Sequence, residues 1–269
     1  MTGFSYSDRG PKTAYARHEA MHTVLEVVIT GEKEEAARKL SEDIFSLVDR
    51  LEFHLSRFFT GGELYELNAR TTDGGEFRVG DILEEALRRC ADYRERTDGY
   101  FDVCAASGGE YVLEKGVIRA KPGTVTVIDL GGFAKGLALD RAGDILRKKG
   151  VDRALLNFGS SSVLAIGAHP HGDHWPVGVE DPARAGAELA VFELRDSALS
   201  VSGPSRDGRP HIVDPASGGY VMKRCLAAVA GPDAAGAEAL STALYAAPDR
   251  IREKIMSGFP DYRYRVIPL

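Results

Sequence analysis

The stretch Val127–Gly136, V-I-D-L-G-G-F-A-K-G, carries a β-branched run through a glycine pair to Lys135 and into a helical pattern. A strand that breaks on two glycines at a helix start presents backbone N–H groups and the positive end of the helix, which together suit phosphate or pyrophosphate. The same pair also suits a tight strand-to-helix turn with close packing, and the segment alone leaves both readings open. Its glycines, at 131, 132 and 136, match neither G-x-x-x-x-G-K-[ST] nor G-x-G-x-x-G.

Outward from this junction the pattern alternates strands and helices. Downstream, Leu137, Ala138, Ala142, Ile145 and Leu146 form one helical stripe that ends on Lys148-Lys149-Gly150, cations and glycine where a helix C-terminus favours them. Upstream, Thr124–Leu130 reads as the strand that feeds the turn, and Tyr111–Ala120 as a hairpin centred on Lys115-Gly116. Asp81 with Glu84 three residues on predicts a helix start by an acidic capping box, with a stop at Asp98-Gly99. Thr23–Thr30 reads as a strand after a polar leader, residues 1–19. A long helix follows from near Glu32 to before Gly61, with Ala36, Leu40, Ile44, Leu47, Leu51, Leu55 and Phe58 as its stripe. Beyond Ala154 short strands alternate with Gly, Pro and Asp as far as Leu226. Then come a helix over Ala234–Ala247 stopped by Pro248, a further helix over Asp249–Ser257 and a last strand near Tyr262–Ile267.

Whole-chain properties bound the function. At 269 residues the chain can bury a large core as one α/β-type domain or as two packed halves. Its 34 basic against 40 acidic residues give a formal charge of −6, which offers no general attraction for nucleic acid or an anionic membrane. Cys90, Cys104 and Cys225 lack metal or disulfide spacing and read as buried free thiols in a reducing compartment. No apolar stretch long enough for a signal core or a membrane span occurs, so a cytoplasmic protein without a membrane anchor is expected.

Three sites could carry chemistry. Glu238, Ser241 and Thr242 stand at i, i+3 and i+4, so on a helix one carboxylate and two hydroxyls share a face, an oxygen set suited to Mg²⁺. The alternative is a solvated polar stripe whose hydroxyls bond back to the preceding turn. His211 lies between the flexible loop Ser202–Arg209 and a turn at Asp214-Pro215; near a phosphate it is a candidate general base, otherwise a packed loop histidine. Tyr100-Phe101-Asp102 could stack on a planar ring or simply anchor the end of a helix, and Trp175 is read as a packing anchor.

Taken in order, A-M-H-T (20–23), S-R-F-F-T-G-G-E-L-Y-E-L-N (56–68), T-D-G-Y-F-D (97–102), D-L-G-G-F-A-K-G-L-A-L-D (129–140), N-F-G-S-S (157–161), W-P-V-G-V-E-D-P (175–182), S-V-S-G (200–203), H-I-V-D-P-A-S-G (211–218) and A-E-A-L-S-T-A-L (237–244) resemble the FAD:protein FMN transferase (ApbE) family. The resemblance spans residues 20 to 245. It implies an α+β fold over 20–269, of two intimately packed α/β halves with mixed, largely antiparallel sheets and flanking helices. It further implies FAD as substrate, Mg²⁺ on its pyrophosphate, and transfer of FMN to a Thr or Ser hydroxyl of an acceptor protein with release of AMP.

By the same resemblance, the ion would be held by the Ala134 carbonyl, Glu238, Ser241 and Thr242. Flavin contacts would come from Met21, Phe58, Tyr100, Phe101, Asp102, Gly131, Lys135, Leu137 and Val213, and His211 would assist transfer. The sequence departs from the family pattern in Glu238 for Asp, His22 for a small residue, Gly62 for Ser, Ser160 for Gly, and a short segment between Asp102 and Tyr111. The Glu238 and cleft departures keep a flavin-binding or interaction module without catalysis in view, and a Mg²⁺-dependent FAD pyrophosphatase that uses water in place of the acceptor is a further alternative.

Overall fold

The computed structural model describes residues 3–71, 75–184, 186–205 and 210–269. Eight antiparallel strands form the main sheet, in the order β1 (Gly3–Ser7), β2 (Thr13–Ala20), β3 (Thr23–Thr30), β7 (Ala154–Phe158), β8 (Ser162–Ile166), β11 (Ser197–Ser202), β12 (Cys225–Gly231) and β13 (Arg263–Pro268). Helices α1 (Glu34–Leu55), α4 (Ala134–Lys148) and α5 (Ala234–Ala246) pack against this sheet. The hairpin β9 (Trp175–Glu180) and β10 (Glu188–Leu194) forms a second sheet; β4 (Glu76–Arg78), β6 (Val117–Ala120) and β5 (Tyr111–Glu114) form a third. The arrangement is an α+β fold. Helices α2 (Glu63–Thr71), α3 (Asp81–Arg96) and α6 (Asp249–Ser257) complete the described elements.

The period-two geometry of strands puts consecutive side chains on opposite faces, and two cores result. Leu164, Ala198, Ala227 and Val229 point into the large core under α1, α4 and α5, whereas Val163, Leu199, Ala228 and Ala230 point into a smaller one. Trp175, Val179 and Leu194 of the β9–β10 hairpin fill that smaller core. Trp175 is the expected packing anchor, and its indole N–H donates to the Ile166 carbonyl at 3.2 Å.

Several local expectations need correction. Residues 3–19, read from the sequence as a polar leader, hold β1 and most of β2, paired in the main sheet, with Ala14 and Ala16 buried. Their polar outer face hid the alternation. Thr124–Leu130 joins no sheet. Its backbone groups are satisfied from loops and side chains instead: Ile128 donates to Asn68 Oδ1 at 2.8 Å and accepts from Asn68 Nδ2 at 2.9 Å, and Asp129 N donates to the Val103 carbonyl at 2.8 Å. Asp81 is the first residue of α3 rather than its cap, and the Gly80 N–H before it is taken by Glu63 at 2.5 Å. Ala37 rather than Ala36 is buried in α1, and Phe58 lies beyond its end.

The other boundaries agree with the sequence reading. The β5–β6 hairpin turns on Lys115 and Gly116 with φ of 50° and 73°, as a tight two-residue turn requires. Met21 and His22 do the same between β2 and β3, with φ of 49° and 60°. Helix α2 was not foreseen because only Leu64 and Leu67 mark its buried side. Among the described residues no helix is long and apolar enough to cross a membrane.

Candidate active site

Helix α5, A-A-G-A-E-A-L-S-T-A-L-Y-A, is rich in alanine and buried on nearly every side, which places it between the main sheet and α4. Charged groups meet both of its ends. At the N-terminus Asp233 accepts from Gly236 N at 2.7 Å, and Asp140 of α4 accepts from Ala234 N and Ala235 N at 2.7 and 3.1 Å. At the C-terminus Lys223 Nζ donates to the carbonyls of Tyr245, Ala246 and Ala247 at 2.8, 3.0 and 2.6 Å. Both follow the helix dipole. Burial pushes the Asp140 carboxyl up to about 6 although the two N–H donors and Arg89 pull the other way, and burial lowers Lys223.

On this framework the polar face of α5 turns inward. Glu238 is 3% exposed and Ser241 fully buried, so the stripe is not solvated, but Ser241 Oγ does bond back to the preceding turn, donating to the Glu238 carbonyl at 3.0 Å. Strand β11 offers Ser200 and Ser202, two residues apart and therefore on one face, and β8 offers Ser162 in register with Ser200. Ser241 Oγ stands 3.2 Å from Ser200 Oγ and 2.9 Å from Ser202 Oγ; Ser202 Oγ is 3.4 Å from Thr242 Oγ1. Glu238 closes the cluster. Its Oε1 accepts from Lys135 Nζ and, at 3.4 Å, from Ser162 Oγ, while its Oε2 accepts from Gly136 N at 2.6 Å.

The close approach of α4 depends on Gly136. A methyl group there would fall 2.6 Å from Ala235 Cα and closer still to the Ala234 carbonyl. Gly132 is held likewise, with Thr242 Oγ1 3.0 Å from where its Cβ would be. The glycine junction therefore serves close packing, and its N–H groups are not all bare. Gly131 N donates to Asp129 Oδ1 at 2.8 Å and Gly136 N to Glu238, so the helix N-terminus already meets a carboxylate.

A cavity of about 810 Å³, toward the upper end for small-molecule sites, lies over this junction. Glu238 and Thr242 reach it from α5, Lys135 and Gly131 from α4 and its turn, and His211 and Val213 from the segment that follows β11. Phe58, Tyr100, Phe101 and Asp102 also line it. Asp102 is fixed by Arg94 Nε at 2.7 Å and by Cys104 N at 2.8 Å. Phe58 is 57% exposed at the mouth, beneath the Arg57 guanidinium at 4.3 Å and edge-on to the His22 ring. Four residues expected at the site do not line the cavity: Met21 lies in the β2–β3 turn, Leu137 is buried in the large core, and Ala134 and Ser241 are covered by their neighbours. Of the loop Ser202–Arg209, residues 206–209 lie outside the described residues.

The hydroxyls of Ser162, Ser200 and Ser202 were not foreseen, although the alternation in S-V-S-G carried the signal for the last two. Asp140 and Lys223 were also missed, because their partners are backbone atoms of a helix distant in sequence.

An antiparallel sheet backed by an alanine-rich helix, with an oxygen cluster under a wide cavity, defines an α+β protein of the class seen in the relatives that follow. The chain belongs to the ApbE family, whose family model matches residues 21–111 and 107–261. It is similar to the FAD:protein FMN transferase of Treponema pallidum (strain Nichols), 32% identical over 161 residues, covering 51% of this chain and 40% of that protein. It is also similar to the FAD:protein FMN transferase of Rhodobacter capsulatus, 30% identical over 226 residues, covering 68% and 42%. The matched regions thus span about two-fifths of these relatives' lengths. In fold it resembles the flavin transferase ApbE from Vibrio cholerae, with a TM-score of 0.80 at 17% identity over 96% of this chain and 97% of that one. The ApbE protein of Thermotoga maritima gives 0.81 at 22% identity over 97% and 94%.

Proposed function

We propose that this chain is an FAD:protein FMN transferase that attaches FMN to a Thr or Ser hydroxyl of an acceptor protein. The observation that carries the reading is the meeting of α4 and α5: Lys135, Gly136, Glu238 and Thr242 converge beneath a cavity that also receives His211. In the reaction the acceptor oxygen bonds to the FMN-side phosphorus, the bond from that phosphorus to the bridging oxygen breaks, and AMP departs with the bonding pair. The hydroxyl proton passes to a ring nitrogen of His211, in the role of general base. Tyr100 and Phe58 provide aromatic surface for the isoalloxazine ring, Phe101 backs that wall, and Lys135 offers a cation to the pyrophosphate.

The donors present fit Mg²⁺. Glu238, Ser241 and Thr242 present oxygen alone, joined by Ser202 within hydrogen-bond reach, and hard cations take oxygen ligands. With the Ala134 carbonyl they would hold the ion, whose charge would offset that of the pyrophosphate. Cys90 and Cys104 are buried free thiols and Cys225, expected to be buried as well, is partly exposed; three unpaired thiols suit a reducing compartment, in keeping with a cytoplasmic site of action.

The test is incubation with FAD and Mg²⁺, with and without an acceptor polypeptide, followed by AMP release and by flavin fluorescence on the acceptor. AMP formed together with a flavin-labelled acceptor is the expected result. AMP formed equally without acceptor would make the protein a pyrophosphatase, and FAD binding with no AMP would make it a binding module.

A further inference from the structure

Glu238 has no idle oxygen. Oε1 accepts from Lys135 Nζ and Ser162 Oγ, and Oε2 accepts from the Gly136 N–H. The Glu238 side chain is 5% exposed and that of Lys135 19%, so water screens the pair weakly. Ser162, Ser200, Ser202, Ser241 and Thr242, the hydroxyl groups around it, are uncharged, and the ion pair leaves the junction with no net charge. A divalent ion arriving here alone would gain little from Glu238 and would meet the Lys135 ammonium beside the same oxygen. Glutamate makes this arrangement: from α5 it reaches across to the first turn of α4 and takes both the ammonium and the backbone N–H.

We propose that Lys135 is a gate on the metal site: it holds Glu238 in the free protein, and a diphosphate ligand draws it away so that a divalent cation binds only after, or together with, that ligand. This rests on the transferase reading for the identity of the diphosphate, whereas the closed state rests on the ion pair and on the bond from Lys135 Nζ to the Gly131 carbonyl at 3.2 Å. Lys135 lines the cavity, so its ammonium can turn from Glu238 toward an anion there without crossing the core. The diphosphate then supplies the negative charge that the junction lacks and further oxygen ligands for the ion. Lys135 acts on the ion through Glu238 and is in that respect a positioning residue.

The experiment is a Mn²⁺ titration of the full chain, read as free Mn²⁺ by electron paramagnetic resonance without any nucleotide. Wild type should bind weakly, while Lys135→Met, or Lys135→Gln should the first variant fail to fold by circular dichroism, should bind about tenfold or more tightly. Adding Glu238→Gln to either variant should abolish the gain. A wild type that binds Mn²⁺ as tightly as the Lys135 variants, or a gain that survives Glu238→Gln, would overturn the proposal. In a second arm ADP is added to the wild type, and Mn²⁺ held beyond the amount that ADP alone holds is the expected result. If FAD and ADP fail to bind any of the proteins, the transferase reading and the opening of the gate by a diphosphate both fall; if ADP binds but wild type holds no Mn²⁺ beyond what ADP alone holds, the gate is overturned while FAD binding still tests the transferase reading.

Discussion

At the scale of single residues the site combines one buried carboxylate, one ammonium, a group of hydroxyls and a histidine that lines the same cavity. His211 is exposed and lines the cavity, so its loss should leave the packing untouched. On the proposed transferase reading, with His211 as general base, we predict that His211→Ala lowers the turnover of acceptor flavinylation by about 10²- to 10⁴-fold. FAD affinity, followed by quenching of flavin fluorescence, should change by less than about tenfold, since a general base acts on the reacting proton rather than on ground-state binding. An equal loss in affinity and turnover would instead assign His211 to binding. The helical spacing of Glu238, Ser241 and Thr242 was legible in the sequence because one element carries all three. The partners of Glu238 were not, because Lys135, Gly136 and Ser162 arrive from two other elements and only the folded chain decides which cation meets which carboxylate.

At the scale of elements the geometry depends on how closely α4 approaches α5. Gly136→Ala would drive a methyl group into the backbone of Ala234 and Ala235, and we predict a loss of about 1–3 kcal/mol in urea unfolding. It should also weaken the hold of Gly136 N on Glu238. Asp140, at the start of α5, gives a pH signature. Its carboxyl is pushed up from 3.8 to about 6 in the folded chain, so the native state holds that proton more tightly than the unfolded state does. The stability it contributes is therefore full below about pH 3.8 and is lost as pH rises through about 6, by up to about 3 kcal/mol. Asp140→Asn cannot titrate there. The wild type's stability relative to this variant should fall between pH 4 and pH 7 in parallel urea titrations, and a constant difference would refute the linkage. The strong periodicity of α1, α3 and α4 and the hairpin at Lys115-Gly116 made these elements legible. The irregular run Thr124–Leu130 was not, because its β-branched composition suits a strand while Asn68 and Val103 take the places of ladder partners.

At the scale of the whole molecule, strands could be recognised locally but their order could not. Nothing in Thr23–Thr30 announces that it pairs with Ala154–Phe158, because antiparallel pairing depends on the apolar face and not on a code between particular strands. That order makes one sheet serve two cores. On β11 the Ala198 side chain faces the helices, Leu199 faces the β9–β10 hairpin, and Ser200 and Ser202 point back toward α5. The site hydroxyls therefore ride on a strand whose other side is packed by the smaller core, which Trp175 anchors. Removing that indole by Trp175→Ala should cost about 3–5 kcal/mol, the usual range for emptying a buried aromatic position. The same coupling predicts how the wild type unfolds. Its one tryptophan reports the smaller core by fluorescence, and far-UV circular dichroism reports the helices on the larger one. If the shared sheet transmits stability between them, the two unfolding curves in denaturant coincide. A fluorescence transition that precedes the loss of helix would mean that the hairpin opens by itself. In that case Trp175→Ala would loosen the cavity wall formed by Val177 and Val179 and weaken FAD binding without lowering the helical transition.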